Sequence, residues 1–276
     1  MGRNRKRTSA SVGAVTYRIV ESGSSGDITK ELGDWSTYPP RAKSMFQDGV
    51  STLAAFVASD ERWSNLVRDK FGLDPANPAH LEVVAAVAGI TSAEDLTLDD
   101  DEENTILSSG LDSSGRVSVW PSADGTRIDV DIGTFAKLRT SNQPRLAYAM
   151  IRRMVWGMRQ WAEIQGVPPE GAIYLQAESD GMAMNGVETW AKLGFNFTLR
   201  RELRSAAEDA GFSSTSTLDL MTERNANGQL GFDAWNSIVA QVIAEDGSAE
   251  ADGGFQIGDG SSSLRVLQRY GELQGY

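Results

Sequence analysis

The sequence predicts an α+β fold in which a mixed sheet is flanked by helices, and three stretches carry that expectation. "GRVSVWPSADGTRIDVDIG" sets two alternating runs around an Asp-Gly turn, the pattern of a β-hairpin from about Arg116 to Ile132. "SNQPRLAYAMIRRMVWGMRQWAEIQGVPPEG" repeats apolar residues at three- and four-residue steps, which makes one long amphipathic helix. "AIYLQAE" and "NGVETWAKLGFNFTL" then supply a strand, a short helix, a glycine stop and another strand. A chain that alternates in this way lays down a sheet with helices against it.

Residues 1–14 read as a basic flexible arm, with Arg3, Arg5, Lys6 and Arg7 close together. Such an arm is either a solvated tail or an electrostatic tether to nucleic acid or an acidic partner. No apolar signal-peptide core follows it. Residues 15–110 read as a strand plus a helical region. "AVTYRIVES" is β-rich and closes at "GSSGD". From "YPPRAKSMFQDGV" onward Met45, Phe46, Leu53, Phe56, Val57, Trp63, Leu66 and Val67 lay one apolar stripe along a helix or a broken pair. "PAHLEVVAAVAGI" adds a shorter helix ending near Gly89. Seven carboxylates follow between Glu94 and Glu103 with no base among them. Asp99, Asp101 and Glu103 have the spacing of a calcium loop, but Asn104 stands where the glycine is required and Gly110 where the closing glutamate is. A solvated acidic loop is the better reading.

Residues 111–200 hold the α/β core. In the second strand of the hairpin Ile128, Val130 and Ile132 share one face, and Arg127, Asp129 and Asp131 the other. Two carboxylates at i and i+2 can hold a divalent ion or supply a base, and they can equally form a plain solvated face. In the long helix Asn142 serves as N-cap and Pro144 falls in the first turn, where a missing amide hydrogen is tolerated. Ala147, Met150, Ile151, Met154, Met158, Trp161 and Ala162 form its buried stripe, with Arg152, Arg153 and Arg159 off it, and Gly166, Pro168 and Pro169 end it. Residues 201–276 read as a helical extension through "RELRSAAEDAGF", "STLDLMTERN", "GFDAWNSIVAQVIAED" and "SSSLRVLQRYGEL". Gln241 to Ser263 carries five acids, no base and many Gly and Ser residues, the composition of a solvated linker. No internal repeat, P-loop or glycine-rich dinucleotide fingerprint is present.

Composition narrows the chemistry. With 276 residues, 40% of them apolar, seven Trp and nine Phe, the chain has the material for a globular core. A formal charge of -12 argues against broad nucleic-acid binding, which depends on clustered Lys and Arg neutralising phosphates, so the arm is the one route to such a partner. An acidic membrane surface would repel the chain. The absence of cysteine removes disulfides, thiolate nucleophiles and sulfur-ligated zinc. His80, the sole histidine, leaves His-based metal clusters and Ser-His-Asp relays little to work with. It sits at a helix start in "DPANPAHLEV", where a solvated imidazole is the plain reading. No apolar run approaches the about 20 residues a spanning helix needs. The expectation is a soluble, metal-free protein of the cytoplasm or of a virus particle.

"TWAKLGFNF" is similar to the "lYeklGF" ending of the GNAT acetyltransferase superfamily, whose core also runs from a hairpin into a long helix, a strand, a short helix and a closing strand. The resemblance spans about residues 116–199, under a third of the chain. It implies an acetyl-CoA whose pyrophosphate rests on backbone amides at the start of the long helix, where unpaired N–H groups and the helix dipole favour an anion. The family's pattern there is Gln or Arg, two residues, Gly, one residue, Gly or Ala. The equivalent stretch here is "RTSNQPRL", so the resemblance places the cofactor on Arg139, Asn142, Gln143 and Arg145. Arg139 fits the first position, but Asn142 and Pro144 replace the small residues, and proline lacks the amide hydrogen and crowds a phosphate. Arg139 and Arg145 offset this only through charge. The tyrosine with which the family protonates its departing thiolate falls at Trp190, whose indole donates a hydrogen bond but is no usable acid near neutral pH. Surviving chemistry would need Asp129, Asp131 or Glu178 as a base with a pKa raised by burial.

Three functions are compatible with these features. The first is an acyl-CoA-dependent N-acyltransferase. The second is a degenerate, non-enzymatic descendant that needs no cofactor and serves as a structural or interaction component of a larger assembly such as a virus particle, with protein partners or copies of itself. The third is an effector or toxin that modifies a host molecule. Two altered catalytic features and long appendages on both sides of the core favour the second.

Overall fold

The protein is described by a computed structural model over residues 9–12, 15–18, 25–91, 96–99, 105–108, 116–121, 125–132, 144–179 and 186–274. A two-stranded antiparallel sheet, β1 (Ser9–Val12) with β2 (Val15–Arg18), precedes four helices, α1 (Ser25–Leu32), α2 (Pro40–Ser59), α3 (Glu61–Asn65) and α4 (Pro78–Val87). β1 thus lies within the stretch whose composition reads as a flexible arm. Then come β3 (Leu96–Asp99), β4 (Thr105–Ser108), β5 (Arg116–Pro121), β6 (Ile128–Ile132), α5 (Pro144–Gln165), β7 (Ala172–Ser179), α6 (Gly186–Lys192) and β8 (Asn196–Phe197). The chain closes through α7 (Arg201–Asp209), α8 (Thr217–Thr222), α9 (Gly231–Asp246), β9 (Ala249–Gln256) and α10 (Ser262–Gln274).

The fold is α+β, as its periodicities predict, with a seven-stranded mixed sheet in the order β3-β4-β5-β6-β7-β9-β8. Every neighbouring pair is antiparallel except β6 and β7, which run parallel because α5 carries the chain back across the sheet between them. Gly125, the glycine of the expected turn, has φ 68°, and Asp124 lies outside the described residues. Alternation sends Ile128, Val130, Ile132, Ile173, Leu175 and Ala177 into the core, while Tyr174, Gln176 and Glu178 point away from it.

The apolar stripe of α5 is buried as its spacing predicts. Its arginines correct the sequence reading: Arg152, Arg153 and Arg159 lie off the stripe yet are 5%, 2% and 1% exposed. The reason is a second layer of helices over the outer side of α5. Arg152 donates to the Thr37 hydroxyl at 2.9 Å and to the Glu31 carbonyl at 2.9 Å. Arg153 pairs with Glu82 at 2.5 Å and lies between the Trp35 and Trp156 rings, 4.3 and 3.9 Å from their centroids. Gly157 lets α4 approach α5 closely, since a Cβ there would stand 2.8 Å from the Val87 nitrogen. Arginine is suited to such burial because its planar fork satisfies several acceptors while its stem and face pack on rings.

The stretch whose composition reads as a linker, Gln241 to Ser263, is instead the end of α9 and the whole of β9, which lies inside the sheet between β7 and β8. Ala249, Ala251 and Phe255 supply its buried face. Its glycines are a packing requirement: a Cβ on Gly253 would lie 2.2 Å from the Asn196 carbonyl oxygen, and one on Gly254 3.2 Å from the Tyr174 ring. The carboxylates of Glu250 and Asp252 point to solvent, so acidity and glycine content disguise a central strand.

Burial of the helical layer has a titration signature. The Tyr38 hydroxyl donates to the Leu32 carbonyl at 2.6 Å, and burial pushes its pKa from 10.0 to about 12 against the pull of Arg152 and Arg153. Burial raises Tyr148 and Tyr270 as well. A raised folded-state pKa contributes stability that is complete below the unfolded value and is lost as pH climbs through the folded one. The contribution of Tyr38 should therefore hold from neutral pH to about pH 10 and fall away towards pH 12, read as a decline in the denaturant midpoint over that interval. Tyr38→Phe should make that fall shallower while costing about 1 kcal/mol at neutral pH, because the Leu32 carbonyl loses a donor.

Candidate functional site

The candidate acids lie on the sheet face opposite the core. β5–β6 register sets Asp129 against Trp120 and Asp131 against Ser118, and β6–β7 register sets Asp131 against Tyr174. Asp129 is already engaged: its Oδ1 accepts from the Ala172 amide at 2.9 Å, and its Oδ2 lies 3.1 Å from the Arg127 Nε. The carboxylate therefore ties the start of β7 to β6. Asp131 is half-buried on the same face.

Glu178 stands near the far end of β7, exposed and directly opposite Glu250 of β9. Four residues separate it from Tyr174, the partner of Asp131, which is about 13 Å along a strand. A general base must come within about 3 Å of the proton it takes, so Glu178 and the β6 aspartates do not meet on one substrate atom. Arg200 gathers the neighbouring carboxylates, bonding Glu250 at 3.1 Å and also Asp252. The hydrogen bond that Arg200 donates to Asp252 is the largest of the effects that raise the Arg200 pKa. Beside this cluster an open cleft of about 240 Å³ runs between Arg200, Glu202, Val242, Asp246 and Glu250. It lies on β9 and the ends of α7 and α9, away from the β6–β7 pair.

Of the residues assigned to a cofactor by resemblance, Arg145 occupies the first turn of α5, and Arg139, Asn142 and Gln143 lie outside the described residues. The parallel β6–β7 register runs from Val130↔Ile173 to Ile132↔Leu175, and β7 continues to Ser179 with β9 as its partner. Trp190, the residue in the tyrosine slot, is 5% exposed and meets Phe195 edge-on at 5.5 Å; Phe195 in turn meets Phe255 of β9 at 5.7 Å. It closes the junction of α6 with the sheet.

One polar group was not foreseen from the sequence. The buried Ser179 hydroxyl accepts from the Val187 amide at 2.9 Å and donates to Glu188, capping the first turn of α6. Ser179 precedes Val187 by eight residues, far from the spacing of a local capping box, so no sequence pattern announces it. His80 accepts the Asp74 amide on its Nδ1 at 2.9 Å and fixes the loop before α4. Among the described residues no group of three His, Asp or Glu side chains is placed to hold a metal ion, and no helix is long and apolar enough to cross a membrane. No protein-family model, no curated protein and no solved structure matches the chain.

Proposed function

We propose that the chain is a non-catalytic protein built on an acetyltransferase-like α/β core and that it works as a structural or interaction component of a larger assembly. The observation that carries this reading is Trp190. The slot in which the resembled family keeps a proton donor is used here to complete an aromatic core, with Trp190, Phe195 and Phe255 in edge-on contact. The fate of the candidate bases supports it: Asp129 is spent on the Ala172 amide and Arg127, and Glu178 stands against another carboxylate.

Acyl transfer is the second reading, favoured by the parallel β6–β7 pair that follows the long helix, since the resembled family seats its acyl-CoA between those two strands. Thermal unfolding with and without acetyl-CoA separates the two. A ligand at 100 times its Kd adds about 2.7 kcal/mol to the folded state. We expect no shift in Tm at millimolar acetyl-CoA, together with a native mass above the 29.8 kDa of one chain or retention of a protein partner. A rise of several degrees, with a strictly monomeric mass and no partner, would establish the acyltransferase reading instead.

A further inference from the structure

Register lines up an outer sheet face in which Tyr174, Gln176 and Glu178 of β7 and Glu250, Asp252 and Gln256 of β9 are all exposed. A sheet with antiparallel strands can turn one polar face to water, but neutral polar residues suffice for that. Here Glu178 and Glu250 stand directly opposite one another, and like charges in that position destabilise a sheet. Glu178 has no side-chain partner among the described residues. Arg200, the cation beside the pair, is taken up by Glu250 and Asp252. Asp129 and Asp131 continue the same face on β6. At its other end the face adjoins the cleft of about 240 Å³, where Glu202 and Asp246 add two carboxylates without a cation of their own among the described residues, and buried Leu203 and Val242 supply apolar lining.

Tyr174 stands within this field of charge and is 44% exposed. Its cross-strand neighbours are Asp131 on one side and Gly254 on the other. The glycine lets the ring lie close to the β9 backbone, since a Cβ there would be 3.2 Å from it. An aromatic ring among carboxylates suits an ammonium or guanidinium group, which the ring attracts through its π face and the acids through charge. The stretch from Tyr174 to Glu178 is about 13 Å long, the reach of four or so extended residues. An extended segment with a base at every second position presents cations about 6–7 Å apart on one side, the repeat of Glu250 and Asp252 along β9. The cleft then offers apolar surface to the stem of one long basic side chain and carboxylates to its head. Nucleic acid and acidic lipid are repelled by this face, as is the same face of a second copy.

We propose that the outer face of β6, β7 and β9, with the cleft beside it, docks an extended arginine- or lysine-bearing segment of a partner protein. The inference rests on the reading of the chain as an interaction component and names the chemistry of its partner. It also gives the opposed glutamates a purpose, because a cation laid between them removes the repulsion.

Titration of the full chain into a fluorescein-labelled peptide of alternating Arg and Ser, read by anisotropy, tests the contact. The peptide should bind saturably, and its Glu-Ser counterpart should not. Glu178→Lys should weaken binding at least about tenfold, because it replaces an attraction with a repulsion and supplies Glu250 with a cation from within the chain. Tyr174→Ser should weaken it by about two- to fivefold. Glu61→Lys, an exposed change of the same charge on α3, should alter affinity by less than about twofold, since a charge far from the contact is screened by salt. The Tm of Glu178→Lys should equal or exceed that of the unaltered chain, so its loss of binding cannot come from a damaged fold. No saturable binding of the Arg-Ser peptide, or an equal loss in Glu61→Lys and Glu178→Lys, would overturn the docking face. Either result would leave the assembly reading to its own measurements, the response to acetyl-CoA and the native mass.

Discussion

Arg159→Met should cost about 3 kcal/mol of folding stability, read as a lower urea midpoint with an unchanged m-value. The guanidinium of Arg159 is fully enclosed and reaches three acceptors: Nε donates to the Thr29 hydroxyl of α1 at 3.0 Å, one terminal nitrogen to the Ile257 carbonyl at 2.7 Å, and the other to Asp259 at 2.6 Å, the last two in the loop after β9. Methionine keeps much of the stem's packing but donates nothing. The Ile257 carbonyl is then left buried without this donor, at about 1–3 kcal/mol, and the Thr29 hydroxyl loses one as well. Asp259 is 46% exposed and regains water, so the ion pair itself contributes little. Arg159→Lys should recover only part of the loss, since one ammonium cannot span three acceptors held in a planar fork. A loss below 1 kcal/mol for Met would mean that α1 and the loop after β9 are held to α5 by apolar contact alone.

Arg159 also marks where the sequence stops being legible. The 3.6-residue period of α5 identifies the side facing the sheet, because that side is apolar. It is silent about a second layer that buries arginines through rings and backbone carbonyls, as Arg153 does between Trp35 and Trp156. The β5–β6 hairpin is readable because alternation and an Asp-Gly turn are local signals. β9 is unreadable for the converse reason: Gly253 and Gly254 are there to let Asn196 and Tyr174 approach, a demand made by residues distant in the chain.

The candidate site divides in the same way. Alternation places Asp129 and Asp131 on the outer face of β6, and the structure puts them there. What pattern could not supply is the partner. The bond of Asp129 to the Ala172 amide depends on β7 lying parallel to β6, and the opposition of Glu178 to Glu250 depends on β9 being a strand. The Ser179 cap of α6 likewise forms across a gap in the chain that no local motif bridges.

Trp235→Ala should be the most damaging substitution, costing about 3–5 kcal/mol. Trp235 is 0% exposed, among the largest fully buried side chains described, and its Nε1 donates to the Val187 carbonyl at 3.2 Å. It holds α9 against α6, and α9 in turn meets α7, α8 and β9, so one side chain anchors the helices after β8 to the sheet that carries the candidate site. Truncation leaves a cavity that rigid neighbours cannot fill, and the Val187 carbonyl loses its donor; Trp235→Phe keeps most of the volume and should cost only about 1–2 kcal/mol. The form of the transition is as informative as its midpoint. Because β9 lies between β7 and β8, the helices after β8 cannot detach without opening the sheet, so far-UV circular dichroism and tryptophan fluorescence should move together in the variant, with Tm lower by about 10 °C. Separate transitions for the two probes would show that residues 201–276 unfold as a unit of their own, and the sheet would then have to survive without its β9 strand.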